Sequence, residues 1–300
     1  MNSPLAMPSI AVRTGPALDE AYAACLAQVR ELDPDRYLAC LFAPREAQAG
    51  LFALYAFNTE IARIREVVSE PMPGEIRHQW WREALSCKGA EAGRQNPIAM
   101  AVLNTLERYK LPPEPLLALI EARSFDLYDD PMPTWLDLEG YCGETSSALV
   151  RLATLVLAGG TEPGSADLCG YAGVSYAMTG LLRSFPIHAR RRQCYLPHET
   201  LIVCGVSLDE LAEGKDSEGL RAALAEGRRR AMGHYETLRG RIHEIPAEIR
   251  PAFYGCCLIP RYLAMMEKSD YRPFETRIEL SPLRKLWSLG RSAWQARRFR

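Results

Sequence analysis

The chain has 300 residues, 48% of them hydrophobic and 24% charged, which are the proportions of a globular protein and exclude disordered, collagen-like and disulfide-scaffold classes. Its formal net charge is −1, so overall charge gives no reason to expect nucleic acid as a partner. Length allows two domains, but also one large helical domain.

In chain order the reading is helical almost throughout. The first thirty residues have no basic start followed by an apolar run, so no secretory signal is expected. From Pro44 to Ser69 the residues Leu51, Leu54, Tyr55, Ile61 and Val68 recur at helical spacing, which gives a helix one buried stripe. Pro71 and Pro73 are read as its stop, with a second helix from about Gly74 through Ile76, Trp80, Trp81 and Leu85. Further helices are predicted near 97–109, 113–128, 135–158, 163–184, 217–243, 251–267 and 281–299, separated by Pro and Gly. The segment 205–219 reads as a polar surface connection. No Asn-Gly or Asp-Gly hairpin signal lies between alternating strands, so the economical fold is an all-α single domain. The expected division is a flexible N-terminus over 1–15, a helical domain over 16–270 and a C-terminal helix over 271–300. No stretch of 18 apolar residues occurs to span a membrane.

Nine cysteines fall at irregular spacing without a C-x-x-C pair, so neither structural zinc nor a disulfide framework is expected, and a reducing compartment is. No zinc motif, Walker loop, G-x-S-x-G or G-x-G-x-x-G is present. The basic residues are 31 Arg and only five Lys. Six of them (Arg284, Lys285, Arg291, Arg297, Arg298 and Arg300) fall in the last 21 residues, where no acid occurs; the rest of the chain carries −7. With Leu283, Leu286, Trp287, Leu289, Trp294 and Phe299 the tail reads as a basic amphipathic helix. It either touches a membrane surface or partner through 281–299, or docks on its own core with the arginines in water.

Metal-dependent chemistry on a pyrophosphate leaving group needs Mg²⁺, which takes carboxylate, phosphate and water oxygens. Two acids at i and i+4 share a helix face and can grip such an ion. Asp126 with Asp130, and Glu66 with Glu70, have that spacing, but each pair ends against a proline. Exposed or capping carboxylates are the simpler reading of both.

The segments LFALYAFNTEIARIREVVSEPMPGEIRHQWWREAL (51–85), LEGYCGETSSALVRLATLVL (138–157) and YAGVSYAMTGLLRSFPIHARRRQCYLP (171–197) resemble the squalene/phytoene synthase family. The likeness runs over roughly 20–265 and implies an isoprenoid-synthase helical fold with a central cavity. It also implies two D-x-x-x-D pairs that hold magnesium. The first pair falls here on Ala62 and Glu66, the second on Ser184 and His188. Three of the four acids are absent, and a hydroxyl and an imidazole do not replace anionic oxygen for a hard cation. Metal ligands therefore reduce to the weak candidates Glu66, Asp126 and Asp130. Cavity-wall residues are retained: Tyr141, Tyr176 and Arg183, with Arg190 in a run of three arginines. Arg63, Arg65, Arg183 and Arg190 are candidates to hold a phosphate directly, with Tyr141 and Tyr176 beside it. The alternative is that these arginines pair with Glu60, Glu66 and Glu70.

These departures are shared with one branch of the family, the complex I assembly-factor branch best known from mitochondria. The resemblance lies in AFNTEIARIREVVSEPMPGEIRHQWWREAL, GYCGETSSALV and LLRSFPIHARRRQCYLP. It implies a non-catalytic role in maturing NADH:quinone oxidoreductase, with complex I subunits or a prenyl or lipid ligand as partners. The implied location is cytoplasmic and peripheral on the inner face of the cytoplasmic membrane, or the matrix side in a mitochondrion. The alternative is an active head-to-head prenyl transferase that uses Mg²⁺ and prenyl diphosphates.

Overall fold

The computed structural model describes residues 15–86, 93 and 95–298. The expectation of a flexible 1–15 therefore falls almost wholly outside the described residues, as does Cys87. All regular structure among the described residues is helical. In order these are α1 (Pro16–Leu32), α2 (Pro34–Cys40), α3 (Arg45–Ala62), α4 (Ile64–Val67), α5 (Pro71–Leu85), α6 (Pro97–Tyr109) and α7 (Glu114–Arg123). There follow α8 (Trp135–Cys142), α9 (Ala148–Leu157), α10 (Ala166–Arg183), α11 (Phe185–Arg190), α12 (His198–Val203), α13 (Leu208–Ala212), α14 (Glu218–Gly240), α15 (Ile259–Met265) and α16 (Pro282–Arg298). Tighter 3₁₀ turns occupy Ser124–Leu127 and Arg250–Leu258.

Two apolar clusters organise these helices. One gathers Phe52, Phe57, Trp81, Leu116, Leu119 and Leu152 from α3, α5, α7 and α9. The other gathers Trp135, Met178, Leu182, Leu224, Phe253 and Tyr262 from α8, α10, α14, α15 and the 250–258 turn. Tyr271, Ile278 and Leu280 join this second core, so the chain stays packed on the body beyond residue 270. Burial of such side chains, each contributing about 1.5–3 kcal/mol, is what fixes the helix faces.

The breaks between helices matter most for the site. The run predicted as one helix over 44–69 ends at Ala62, turns at Arg63 and resumes as the single turn α4. Pro71 starts α5 rather than ending its predecessor, because a first-turn proline has no N–H to lose. The run predicted over 135–158 is interrupted by a π-helical turn, Gly143–Ser147. Here α10 comes closest: a Cβ on Gly173 would lie 2.3 Å from the backbone Cα and N of Ser147. Glycine is thus required for α10 to pass. After α11, Arg192 takes φ 59, and this left-handed residue turns the chain back so that Gln193 and Tyr195 reach the interior. The segment 205–219 is not wholly a loop, because Ser207 and Glu210 form a capping box that starts α13.

The tail helix α16 packs on α2 and the 250–258 turn. Its buried stripe is Lys285, Ser288, Leu289 and Ala293; of the apolar positions that the sequence suggested, Leu289 is buried while Leu286 is not. Leu283, Trp287 and Trp294 are exposed. Lys285 turns inward because Asp35 awaits it: the ammonium is 2.7 Å from the Asp35 carboxylate and also pairs with Glu279.

Candidate functional site

A cavity of ≈ 270 Å³ borders the second core, which gives it Tyr141 and Tyr195, and is closed on its other side by Asn58 and Ala62 of α3. The four motif positions Ala62, Glu66, Ser184 and His188 all face it, from the end of α3, α4, the α10–α11 junction and α11. Tyr141, Thr145 and Ser146 reach it from α8 and the π turn, and Tyr176 from α10.

Its charge is set by arginine. Arg36, Arg63, Arg65, Arg123 and Arg191 line the cavity against two carboxylates, Glu66 and Asp126. Glu66 accepts from Arg63 Nε at 3.3 Å and from Arg191 Nη1 at 3.2 Å. Arg65 pairs with Asp129 at 3.1 Å. Arg36 pairs with Asp33 at 3.1 Å and stacks between the rings of Tyr55 and Tyr176, 5.0 and 4.8 Å from their centroids.

Asp126 is the most heavily engaged acid. Its carboxylate accepts from the hydroxyls of Tyr141 at 2.8 Å and Tyr195 at 2.7 Å, and from Arg123 Nη1 at 2.9 Å. Gln193 donates to its backbone carbonyl at 2.9 Å. Burial pushes both phenols well above their ordinary range, so they remain donors to the carboxylate. His188 packs 4.8 Å from the Tyr195 ring, and burial lowers its pKa to about 4, so it is neutral at physiological pH.

The candidates chosen from sequence divide cleanly. Ala62, Glu66, Ser184, His188, Arg63, Arg65, Tyr141, Tyr176 and Asp126 come together in the cavity. Arg183 does not: it bonds Asp35 at 3.1 Å, Glu279 at 3.2 Å and the Ile278 carbonyl at 3.3 Å, and lies over the Tyr262 ring. Arg190 is exposed outside the lining, and its neighbour Arg191 takes the position. Asp130 is exposed in extended chain after the 3₁₀ turn that carries Asp126, so the i, i+4 spacing never becomes a helical face. The expected pairing of Arg63 with Glu66 forms, whereas Arg65 chooses Asp129 over Glu60 or Glu70. Sequence reasoning missed Arg36, Arg123 and Arg191. Two carried a local signal, an acid three residues away in Asp33-x-x-Arg36 and Arg123-x-x-Asp126.

Magnesium fits this donor set poorly. Glu66 is shared by two guanidiniums and Asp126 by one guanidinium and two phenols, so each of the four carboxylate oxygens already accepts a hydrogen bond, and both acids are charge-compensated by arginine. Among the described residues no three of His, Cys, Asp and Glu gather as a metal cluster. Beside the polar cavity, sharing Leu181, His188 and Tyr195, lies an apolar cleft walled by Trp135, Met178, Leu182 and Phe185. Its free volume is ≈ 20 Å³, room for about one water.

The squalene/phytoene synthase family matches residues 29–286. The chain belongs to this family. It is 29% identical over 290 residues to the NADH dehydrogenase (ubiquinone) complex I assembly factor 6 of Rattus norvegicus, covering 96% of this chain and 86% of that protein. It is 25% identical over 289 residues to the 15-cis-phytoene synthase of Synechococcus elongatus, covering 91% and 92%. A dehydrosqualene synthase crystal structure superimposes with a TM-score of 0.79 at 17% identity, covering 94% of this chain and 98% of that one. A squalene synthase from Alicyclobacillus acidocaldarius gives 0.71 at 22% identity, covering 87% and 98%. The all-α isoprenoid-synthase fold expected from sequence is therefore the fold of this chain.

Proposed function

We propose that this family member is an assembly factor for NADH:quinone oxidoreductase and does not transfer prenyl groups. The observation that carries the reading is the cavity's charge. Ala62, Glu66, Ser184 and His188, onto which the family resemblance maps the four magnesium-binding acids, all face it, and five arginines surround its two carboxylates, Glu66 and Asp126. A divalent cation would have to displace guanidinium partners from both, against like-charge repulsion. The similarity to the rat assembly factor over almost the whole chain supports the same reading and makes complex I subunits the partner class. The exposed Leu283, Trp287 and Trp294 of α16, with Arg284 and Arg291, suit peripheral contact with an anionic membrane face. Among the described residues no helix is long and apolar enough to cross a membrane.

The test is a deletion strain. Isolated membranes are assayed for NADH:quinone oxidoreductase activity, and isoprenoid lipids are extracted from the same cells. Lost activity with unchanged lipids is expected. Normal activity with a missing squalene- or phytoene-derived lipid would overturn the reading in favour of an active head-to-head transferase.

A further inference from the structure

The same cavity offers more hydrogen-bonding capacity than the protein itself uses. Among the buried side-chain atoms without a partner are Arg65 Nε, Arg123 Nε, Ser146 Oγ and Asn58 Oδ1, all on residues that line it. Asn58 and Ser146 are 7% and 4% exposed, so water reaches them poorly from outside. Leaving such groups unpaired is costly, and buried polar atoms normally find partners. Three of the four can donate, which suits an acceptor-rich ligand. The fourth, an amide oxygen, suits a protonated ligand oxygen or a bridging water.

The charge points the same way. Five arginines against Glu66 and Asp126 leave the lining at +3, with His188 neutral. Asp33 and Asp129, which bond Arg36 and Arg65 from outside the lining, reduce this without cancelling it. Arg63 and Arg191 share one carboxylate, Glu66, so the pair carries one unspent positive charge. Their side chains are 48% and 38% exposed, so both are free to swing onto an arriving anion. Guanidinium matches phosphate oxygens in bidentate geometry and needs no bridging metal. The adjoining apolar cleft has only ≈ 20 Å³, which leaves no bed for a hydrocarbon chain.

We propose that the cavity is a metal-independent binding site for a small phosphate anion, inorganic pyrophosphate or a phosphate-ester head group, gripped by Arg63, Arg65 and Arg191 with Ser146. This names a ligand for the cavity of the proposed function and rests on its arginine-dominated charge. The anion takes the place where the fold's relatives would be expected to present acids. Any chain attached to the phosphate stays outside.

Calorimetry on the full chain in EDTA, with inorganic pyrophosphate as titrant, tests this. Single-site binding is expected. Arg63→Gln and Arg191→Gln should each weaken it about tenfold, the usual scale for a charge-assisted hydrogen bond. Because both side chains are partly in water, their melting temperatures should match the parent. Glu66→Gln should tighten binding several-fold by releasing both arginines, an effect that misfolding cannot mimic. Farnesyl diphosphate serves as the chain-bearing probe and should bind within threefold of pyrophosphate. Absence of binding in EDTA, binding only with Mg²⁺, or affinity unchanged in both arginine variants would overturn the proposal. Farnesyl diphosphate binding more than tenfold tighter would overturn its restriction to small anions. These outcomes are read separately from the deletion strain, so the site and the assembly role fail independently.

Discussion

Asp35→Asn should destabilise the protein and loosen its C-terminal helix. Asp35 is 3% exposed and sits where α2, α10, α15 and α16 meet. It accepts from Tyr262 at 2.7 Å and Arg183 at 3.1 Å, and forms an ion pair with Lys285 at 2.7 Å that is not aligned as a hydrogen bond. Lys285 is itself 3% exposed. Neutralising Asp35 leaves that ammonium with Glu279 alone. Breaking a buried pair from one side costs about 3–5 kcal/mol. Because Glu279 remains, the lower end applies, about 3 kcal/mol, or roughly 6 °C in melting temperature for a chain of this size. Removing both charges should cost far less, since a buried pair replaced by apolar groups is often near neutral. Asp35→Asn, Lys285→Met and the double variant therefore form a cycle read by thermal and urea unfolding. A coupling of about 2 kcal/mol is expected between them. Additive effects, or a single-variant loss below about 1 kcal/mol, would refute the account of how the tail is anchored.

Three further outcomes follow from the structure. Gly173→Ala should cost about 3 kcal/mol or more in urea unfolding, because its methyl meets the backbone of Ser147, whereas Ala at the open Gly180 should be tolerated. His78 and His188 are held neutral by burial, with pKa values lowered to about 4. Their contribution is therefore complete above about pH 6.5 and lost as pH falls toward 4, and His78→Gln should flatten the fall in the urea midpoint over that window. Trp287→Ser with Trp294→Ser should reduce binding to anionic vesicles about tenfold or more, since both rings are exposed; unchanged binding would argue against the membrane face. Cutting the chain after Glu279 is the poorer test, because it also removes Lys285 from Asp35.

The helical class was legible because apolar spacing is a property of the local chain, and helices over 97–109 and 217–243 came out within a few residues. The breaks were less legible. The turn at Arg63 and the π turn at 143–147 are imposed by what packs against them, which no local pattern encodes. Family resemblance placed Ala62, Glu66, Ser184 and His188 at one site, and they do face one cavity. The arginines were harder to place. Arg183 and Arg190 looked equivalent to Arg63 and Arg65 in the sequence, yet a buried Asp35 148 positions away captures Arg183. A single residue of helical phase separates Arg190 from Arg191. The tail's anchor was hidden for the same reason: Lys285 counted only as one of six basic residues, but its partner lies on α2.

The central proposal is chemical: that a cavity lined by five arginines, with both its acids already bonded, carries out no magnesium-dependent prenyl transfer. The most direct measurement incubates the purified chain with Mg²⁺ and farnesyl or geranylgeranyl diphosphate and analyses the hydrocarbon extract. The account expects no head-to-head product and no release of pyrophosphate above background. Squalene, phytoene or a presqualene-type intermediate formed at a rate that Glu66→Gln abolishes would contradict it.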